Sequence, residues 1–197
     1  MVKKVVDTWK LKQWYQVHSP EIFGAKPIGE VVATEDRHLK DRLISVGLDE
    51  ITGDFSQTYT TIKFRITDVK GKNAYTTFIG HEEQPAYVRT FIKRNRTLID
   101  DVVDVKTSDG KEMRIKVIIF AAGRVARETE AAVRTALRTA LREMVTSYTL
   151  DQFLQEMFFR RFAMRLTPIL KKYTPIKRIE IRKSELKEVF AKEKVQQ

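Results

Sequence analysis

The 197-residue chain contains no cysteine, which excludes a disulfide framework, a thiolate nucleophile and a Cys-ligated zinc. Its three histidines, His18, His38 and His81, lie far apart with no i,i+3 or i,i+4 partner, so no helix prearranges them as metal ligands, and neither metal nor cofactor is expected. No apolar run approaches the roughly 18 residues of a membrane span. The basic N-terminus, MVKKVVDTWKLKQWYQ, lacks the continuous apolar stretch and small-residue cleavage site of a signal peptide, so a cytoplasmic protein is expected. Neither GxxxxGK(S/T) nor GxGxxG occurs. Proline and glycine are few, at 5 and 8, and no repeat or low-complexity linker splits the chain, so residues 1–197 read as one domain.

Acidic clusters are nearly as scarce. Asp100, Asp101 and Asp104 form the one dense group, but neighbours on a strand point to opposite faces, and nothing nearby supplies a base or a second set of ligands for Mg²⁺. Solvation, or pairing with Arg94 and Arg96, is the expected role. No catalytic constellation remains, so the chain is not expected to be an enzyme.

What the chain has in excess is positive charge. Lys and Arg number 37 against 26 Asp and Glu, a net +11. Residues 1–84 hold 12 of each sign, whereas residues 85–197 hold 25 cations and 14 anions. An excess confined to one part of the chain is the footprint of a polyanion binder, and a phosphate lattice rewards it through counterion release. An anionic membrane is the competing partner, but a membrane-binding helix sets Trp, Phe or Leu opposite its basic face.

The densest basic element is the stretch from Arg124 to Tyr148, RVARETEAAVRTALRTALREMVTSY. It is rich in strong helix formers and free of Pro and Gly. At about 100° per residue, Val133, Leu137, Ala140, Leu141 and Met144 share one side, and Arg127, Arg134, Arg138 and Arg142 form a band on another. Two readings fit this band. A solvated face is the ordinary one, yet such faces interleave acids at i,i+4, and none stands between Arg134 and Arg142. Phosphate oxygens suit the planar guanidinium fork.

Residues 1–17 form a basic aromatic arm with Lys3, Lys4, Lys10, Lys12, Trp9, Trp14 and Tyr15. It is expected to be disordered in a free domain. Its rings either cap the core or stack along RNA. Residues 18–121 are mainly β. Leu43 to Leu48 is a short strand, Thr60 to Val69 alternates, and Gly71-Lys72-Asn73 turns the chain into Ala74 to Glu82. A helix starts at Pro85 and runs to Arg96, with Lys93, Arg94 and Arg96 at its cation-favouring C-terminus. Leu98 to Lys106 and Glu112 to Phe120 flank an Asp109-Gly110 hairpin turn.

Residues 122–183 add the long helix, a second helix from a capping box at Thr149–Gln152 that is bent or restarted at Pro168, and a final strand Arg178 to Arg182. Residues 184–197 are a charged tail, in which Ser184 caps a short helix containing Leu186, Val189 and Phe190. The fold class is therefore α+β, a mostly antiparallel, barrel-like sheet with long helices packed around it.

The segment Val69 to Glu82, VKGKNAYTTFIGHE, carries a resemblance. Together with Ile51-Thr52-Gly53-Asp54-Phe55, Val103-Asp104-Val105, Thr107-Ser108-Asp109-Gly110 and Arg178-Ile179-Glu180-Ile181-Arg182-Lys183-Ser184, it resembles the archaeal and eukaryotic small-subunit ribosomal protein family known as eS-one, or S-three-a-e. Lys12-Gln13-Trp14-Tyr15, Phe23-Gly24 and Ile28-Gly29-Glu30 are similar too. The chain stops soon after its final strand and so looks archaeal in type. The resemblance implies a structural protein of the small-subunit platform near the mRNA exit, with ribosomal RNA and neighbouring ribosomal proteins as partners. It also implies the barrel-like sheet. A free-standing nucleic-acid-binding protein or RNA chaperone is the alternative that shares the charge asymmetry.

The expected phosphate contacts are Arg124, Arg127, Arg134, Arg138 and Arg142, with Arg89, Lys93, Arg94 and Arg96. Lys72, Asn73 and His81 on the hairpin, and Lys10, Lys12 and Trp14 in the arm, complete the candidate RNA surface. The apolar helix from Leu150 to Tyr173 is the candidate surface for a protein neighbour.

Overall fold

The structure, a computed structural model, describes residues 8–187. It divides into two compact units, Met1–Gly80 and His81–Gln197.

In the first unit, β1 (Gln13–His18) pairs antiparallel with β2 (Pro27–Ala33), and β3 (Leu43–Gly47) pairs antiparallel with β4 (Thr60–Lys70). A two-residue turn then leads into β5 (Asn73–Glu83), whose start runs parallel to the end of β1, with His18 opposite Tyr75. Gly71 has φ 62, the conformation that the first residue of a type II′ hairpin turn requires. Period-two alternation decides which side chains are buried. Ile62, Phe64 and Ile66 on β4 are fully buried, as the sequence predicts. Tyr15 and Val17 of β1 join Ala33, Leu39, Ile66 and Ala74 in one core cluster.

The described part of the arm, from residue 8, is thus not free. Residues 8–11 form a 3-10 turn, and residues 13–18 are a paired strand with two buried side chains. Lys3 and Lys4 lie outside the described residues. Between β3 and β4, α1 (Leu48–Thr52) buries Leu48 and Ile51 and stops at Gly53 in the left-handed conformation.

β5 continues into the second unit, where the strand order is β5-β8-β7-β6, with β6 (Leu98–Lys106), β7 (Glu112–Ala121) and β8 (Ile176–Leu186). The β6–β7 and β7–β8 pairs are antiparallel. Packed with them are α2 (Pro85–Thr90), α3 (Arg127–Thr146), α4 (Leu150–Phe158) and α5 (Arg161–Leu170). α3 buries Val133, Leu137, Ala140, Leu141 and Val145, each fully buried Val or Leu contributing about 1.5–3 kcal/mol. α4 and α5 meet through Phe153 and Phe162, edge to face at 5.4 Å. A second cluster, Val88, Ile118 and Phe120, with Phe91 and Leu98 against it, covers the opposite side of β7. Hence Val117, Ile118, Ile119, Phe120 and Ala121 are all buried, and the strand reads as a continuous apolar run.

Several expectations are corrected. Among the described residues β2, β3 and β6 each have a single strand partner, so the sheet is open rather than a barrel, and it is mixed because β1 and β5 run parallel. Among the helices of the described residues only α3, at 20 residues, is long. α2 ends at Thr90, not Arg96. Thr90 Oγ1 donates to the Tyr87 carbonyl, and the following loop is clamped to residues 121–125 by bonds such as Ala121 N to Thr97 O and Val125 N to Thr97 Oγ1.

The capping box at Thr149 and Gln152 is present, but the second helix breaks at Phe159–Arg160, while Pro168 sits inside α5. Arg160 adopts φ 57, unusual for a non-glycine residue, and its guanidinium donates to the Tyr87 hydroxyl at 2.8 Å. Finally, Ser184 does not cap a helix. It lies within β8, and Val189 and Phe190 fall outside the described residues.

Candidate nucleic-acid interface

The arginine band of α3 is divided by its neighbours. Ile99, Asp101, Val103 and Val105 of β6 are buried on one face. Arg138 reaches Asp101 with a fork of two hydrogen bonds, both 2.7 Å. Arg134 meets Glu130 at 3.5 Å and donates to the Asp100 carbonyl at 3.2 Å. The acids missing from the helix between Arg134 and Arg142 are therefore supplied by the strand beneath and by the preceding turn. Arg127 and Arg142 are exposed, and their side chains make no ion pair or hydrogen bond among the described residues. Arg124 precedes α3, where it donates to Asn95 Oδ1 at 3.0 Å.

The acidic group behaves accordingly. Asp101 takes Arg138, and Asp104 takes Arg114 at 2.9 Å and Lys187 at 3.5 Å. The pairing expected with Arg94 and Arg96 is not made. No group of three or more potential metal ligands occurs among the described residues.

A second set of cations surrounds the loop after α2. Arg89, Lys93 and Arg94 are exposed and Arg96 is half-buried. Lys177, Arg178 and Arg182 of β8 add to it, with Lys177 and Arg182 exposed. Beneath lies a network centred on Glu180, which is 5% exposed. Glu180 accepts from Arg178 Nε and faces Arg160 at 3.8 Å, and the Tyr87 hydroxyl accepts from both Arg160 and Arg178. Burial, reinforced by the Glu180 carboxylate, pushes the Glu83 carboxyl up to about 8. Glu83 thus holds its proton at neutral pH, and the two arginines face one carboxylate rather than two.

In the first unit, the expected residues share a surface with others that the sequence did not single out. Trp14 is 61% exposed and lies on the outward face of β1 with Gln16 and His18. His18 stacks on Tyr75 of β5 at 5.8 Å, and Lys70 sits over the Tyr75 ring at 5.6 Å. Asn73 Oδ1 lies 3.4 Å from His18 Nε2, and Lys72 is exposed in the adjoining turn. Lys12 caps the Trp9 ring at 4.2 Å, and Lys10 is exposed beside it. The signal that could have located Tyr75 is the strand period: residues 73, 75 and 77 face away from the buried Ala74, Thr76 and Phe78.

His81 has no surface to offer RNA. It is 3% exposed. Its Nε2 donates to the Ile181 carbonyl at 2.9 Å, so its Nδ1 accepts from the Ser184 hydroxyl at 2.6 Å. Burial lowers its pKa to about 4, and the ring is a neutral part of the core.

Comparisons with known proteins bear on the whole chain. The model of the Ribosomal S3Ae family matches residues 1–189. Proteins called small ribosomal subunit protein eS1 are similar over most of their length. The one from Methanothrix thermoacetophila is 37% identical over 177 residues, 90% of this chain and 84% of the relative. That from Staphylothermus marinus is 34% identical over 182 residues, covering 92% and 86%. The Methanothermobacter thermautotrophicus protein is 33% identical over 186 residues, covering 94% and 95%.

Proposed function

The chain belongs to the Ribosomal S3Ae family, and from that premise we propose that it is a structural constituent of the small ribosomal subunit that binds ribosomal RNA. The observation that carries this reading is the match of family and relatives along nearly the whole chain. The excess of exposed, unpaired cations in the second unit supports it. In this reading residues 1–197 act as one ribosomal-protein domain in the cytoplasm, without catalysis, and neither a cofactor nor a membrane takes part. The protein sits on the platform near the mRNA exit and touches neighbouring ribosomal proteins.

Arg127 and Arg142, with Arg89, Lys93, Arg94 and Arg96, neutralise phosphates, and such contacts fix position more than they read sequence. Arg124, Arg134 and Arg138 contribute the guanidinium surface that their partners leave free. On the first unit, Trp14, Lys10, Lys12, Lys72 and Asn73 form the contact surface with Tyr75 and His18, in the manner of aromatic platforms that take unpaired bases. The exposed Phe159 and Met164 at the α4–α5 break are the surface for a protein neighbour.

The test is to purify the tagged protein from its own cells at moderate salt and sequence the RNA that accompanies it. Near-stoichiometric small-subunit RNA, with other small-subunit proteins, is the expected result. Diverse RNA bound to a protein that sediments alone would replace this reading with that of an RNA chaperone.

A further inference from the structure

A cavity of about 310 Å³ opens between the loop after α2 and strands β7 and β8, lined by Thr90, Phe91, Lys93, Phe120, Lys177 and Arg178. That volume suits one small ligand. Among the described residues its lining holds two aromatic rings and three cations, and no carboxylate.

Arg178 is set in an unusual way. Its guanidinium lies 4.2 Å from the centroid of the Phe91 ring, a cation–π contact. Its Nε is taken by Glu180, and its Nη2 donates to the Tyr87 hydroxyl at 2.6 Å. The side chain remains 31% exposed. A guanidinium recognises carboxylates and phosphates through the donors along its edge; here Nε and Nη2 are engaged by Glu180 and Tyr87, which leaves Nη1 and the exposed part of the guanidinium plane for a ligand. Lys93 and Lys177, by contrast, are exposed and have no partner among the described residues.

We propose that this cavity receives a single unpaired nucleotide of RNA, with its base laid against the Arg178 guanidinium and the Phe91–Phe120 wall and its phosphate between Lys93 and Lys177. Unpaired bases are taken by RNA-binding proteins on aromatic rings and on guanidinium planes in just this combination. A duplex keeps its bases stacked inside and cannot offer one to the cavity. An acidic peptide would find two lysines but would leave the apolar wall and the flat guanidinium unused. The inference rests on the RNA-binding reading above and adds to it the state of the RNA and the place that holds one base.

The experiment uses the full chain and two RNA probes of equal length, a single strand carrying the fluorescent base 2-aminopurine and a fully paired duplex. The wild-type protein is expected to bind the single strand and quench the probe. Lys93→Gln with Lys177→Gln, both exposed positions, should weaken single-strand binding about 10-fold and lower its salt slope by about one and a half, with smaller change for the duplex. Arg178→Lys keeps the charge and removes the plane, so quenching should fall while the salt slope stays; thermal unfolding checks that the variant is folded. Unchanged affinity in the lysine double variant, or wild-type quenching in a folded Arg178→Lys, overturns the pocket while RNA binding itself stands. Absence of binding to either RNA overturns the RNA-binding reading and the pocket together.

Discussion

The two units offer a polyanion different surfaces. Residues 1–80 hold 12 Lys and Arg against 10 Asp and Glu, whereas residues 81–197 hold 25 against 16. The first unit nonetheless exposes Trp9, Trp14 and Tyr75 beside Lys12, Lys70 and Lys72. In the second, several cations are turned inward: Arg138 to Asp101, Arg134 to Glu130, and Arg160 and Arg178 to Glu180. A large positive count therefore overstates the charge available to a ligand, and a balanced count conceals an aromatic surface.

The largest expected contrast between the units is in pH. Glu83, in the second unit, ordinarily titrates at 4.5 and is held up to about 8. Above 4.5 the unfolded chain releases a proton that the fold retains, so this group's contribution to stability is complete below 4.5 and is lost as pH rises through about 8. Replacing Glu83 with Gln should remove that loss, a gain on the order of 3 kcal/mol at pH 9 relative to pH 5, read from thermal or denaturant unfolding. His81 works in the opposite direction, its depressed pKa costing stability as pH falls from 6.5 through about 4. A Glu83→Gln protein with the same pH profile as wild type would mean that the buried carboxyl pair does not retain its proton.

Next in size are the two binding modes. Changing Arg89, Lys93, Arg94 and Arg96 together to Gln should reduce RNA affinity about 100-fold at low salt and flatten the plot of log affinity against log salt by up to about three. Trp14→Ala with Tyr75→Ala should cost about 10-fold and leave the slope in place, because stacking releases no counterions. Equal slope changes in both variants would erase the distinction between a charged unit and an aromatic one.

The smallest effect separates paired from unpaired arginines within α3. Arg138→Gln strands the Asp101 carboxylate, which is 9% exposed, and should destabilise the fold by about 1–2 kcal/mol. Arg142→Gln should stay within about 0.5 kcal/mol and act on RNA binding alone. The two are compared by denaturant midpoint and by filter binding.

How much could be read beforehand follows the range of the interaction. The hairpins β4–β5 and β6–β7, the capping box at Thr149 and the apolar face of α3 emerge from neighbours within a few residues, and all are present. Met144 was expected to be buried in that face, but it is only half-buried and Val145 is buried instead. The clamping of the loop after α2 depends on residues 121–125, and the break at Arg160 on the distant Tyr87 and Glu180, which no local pattern contains. His81 resembled a surface residue of a basic hairpin until β8 brought Ser184 and Ile181 against it.

By itself, then, the sequence determined the β4–β5 and β6–β7 hairpins, the long helix α3, the confinement of positive charge to its second part, the absence of cysteine chemistry and, through its motifs, the family. Alternation, capping and turn preferences act over a few residues, so they are legible along a line. Only the tertiary structure decided whether the sheet closed, which histidine was buried and which cations remained free. Arg138 is 37 residues from Asp101 and Arg178 is 91 from Tyr87. An ion pair or a buried hydrogen bond depends on distance in space, and at such separations the chain alone does not specify it.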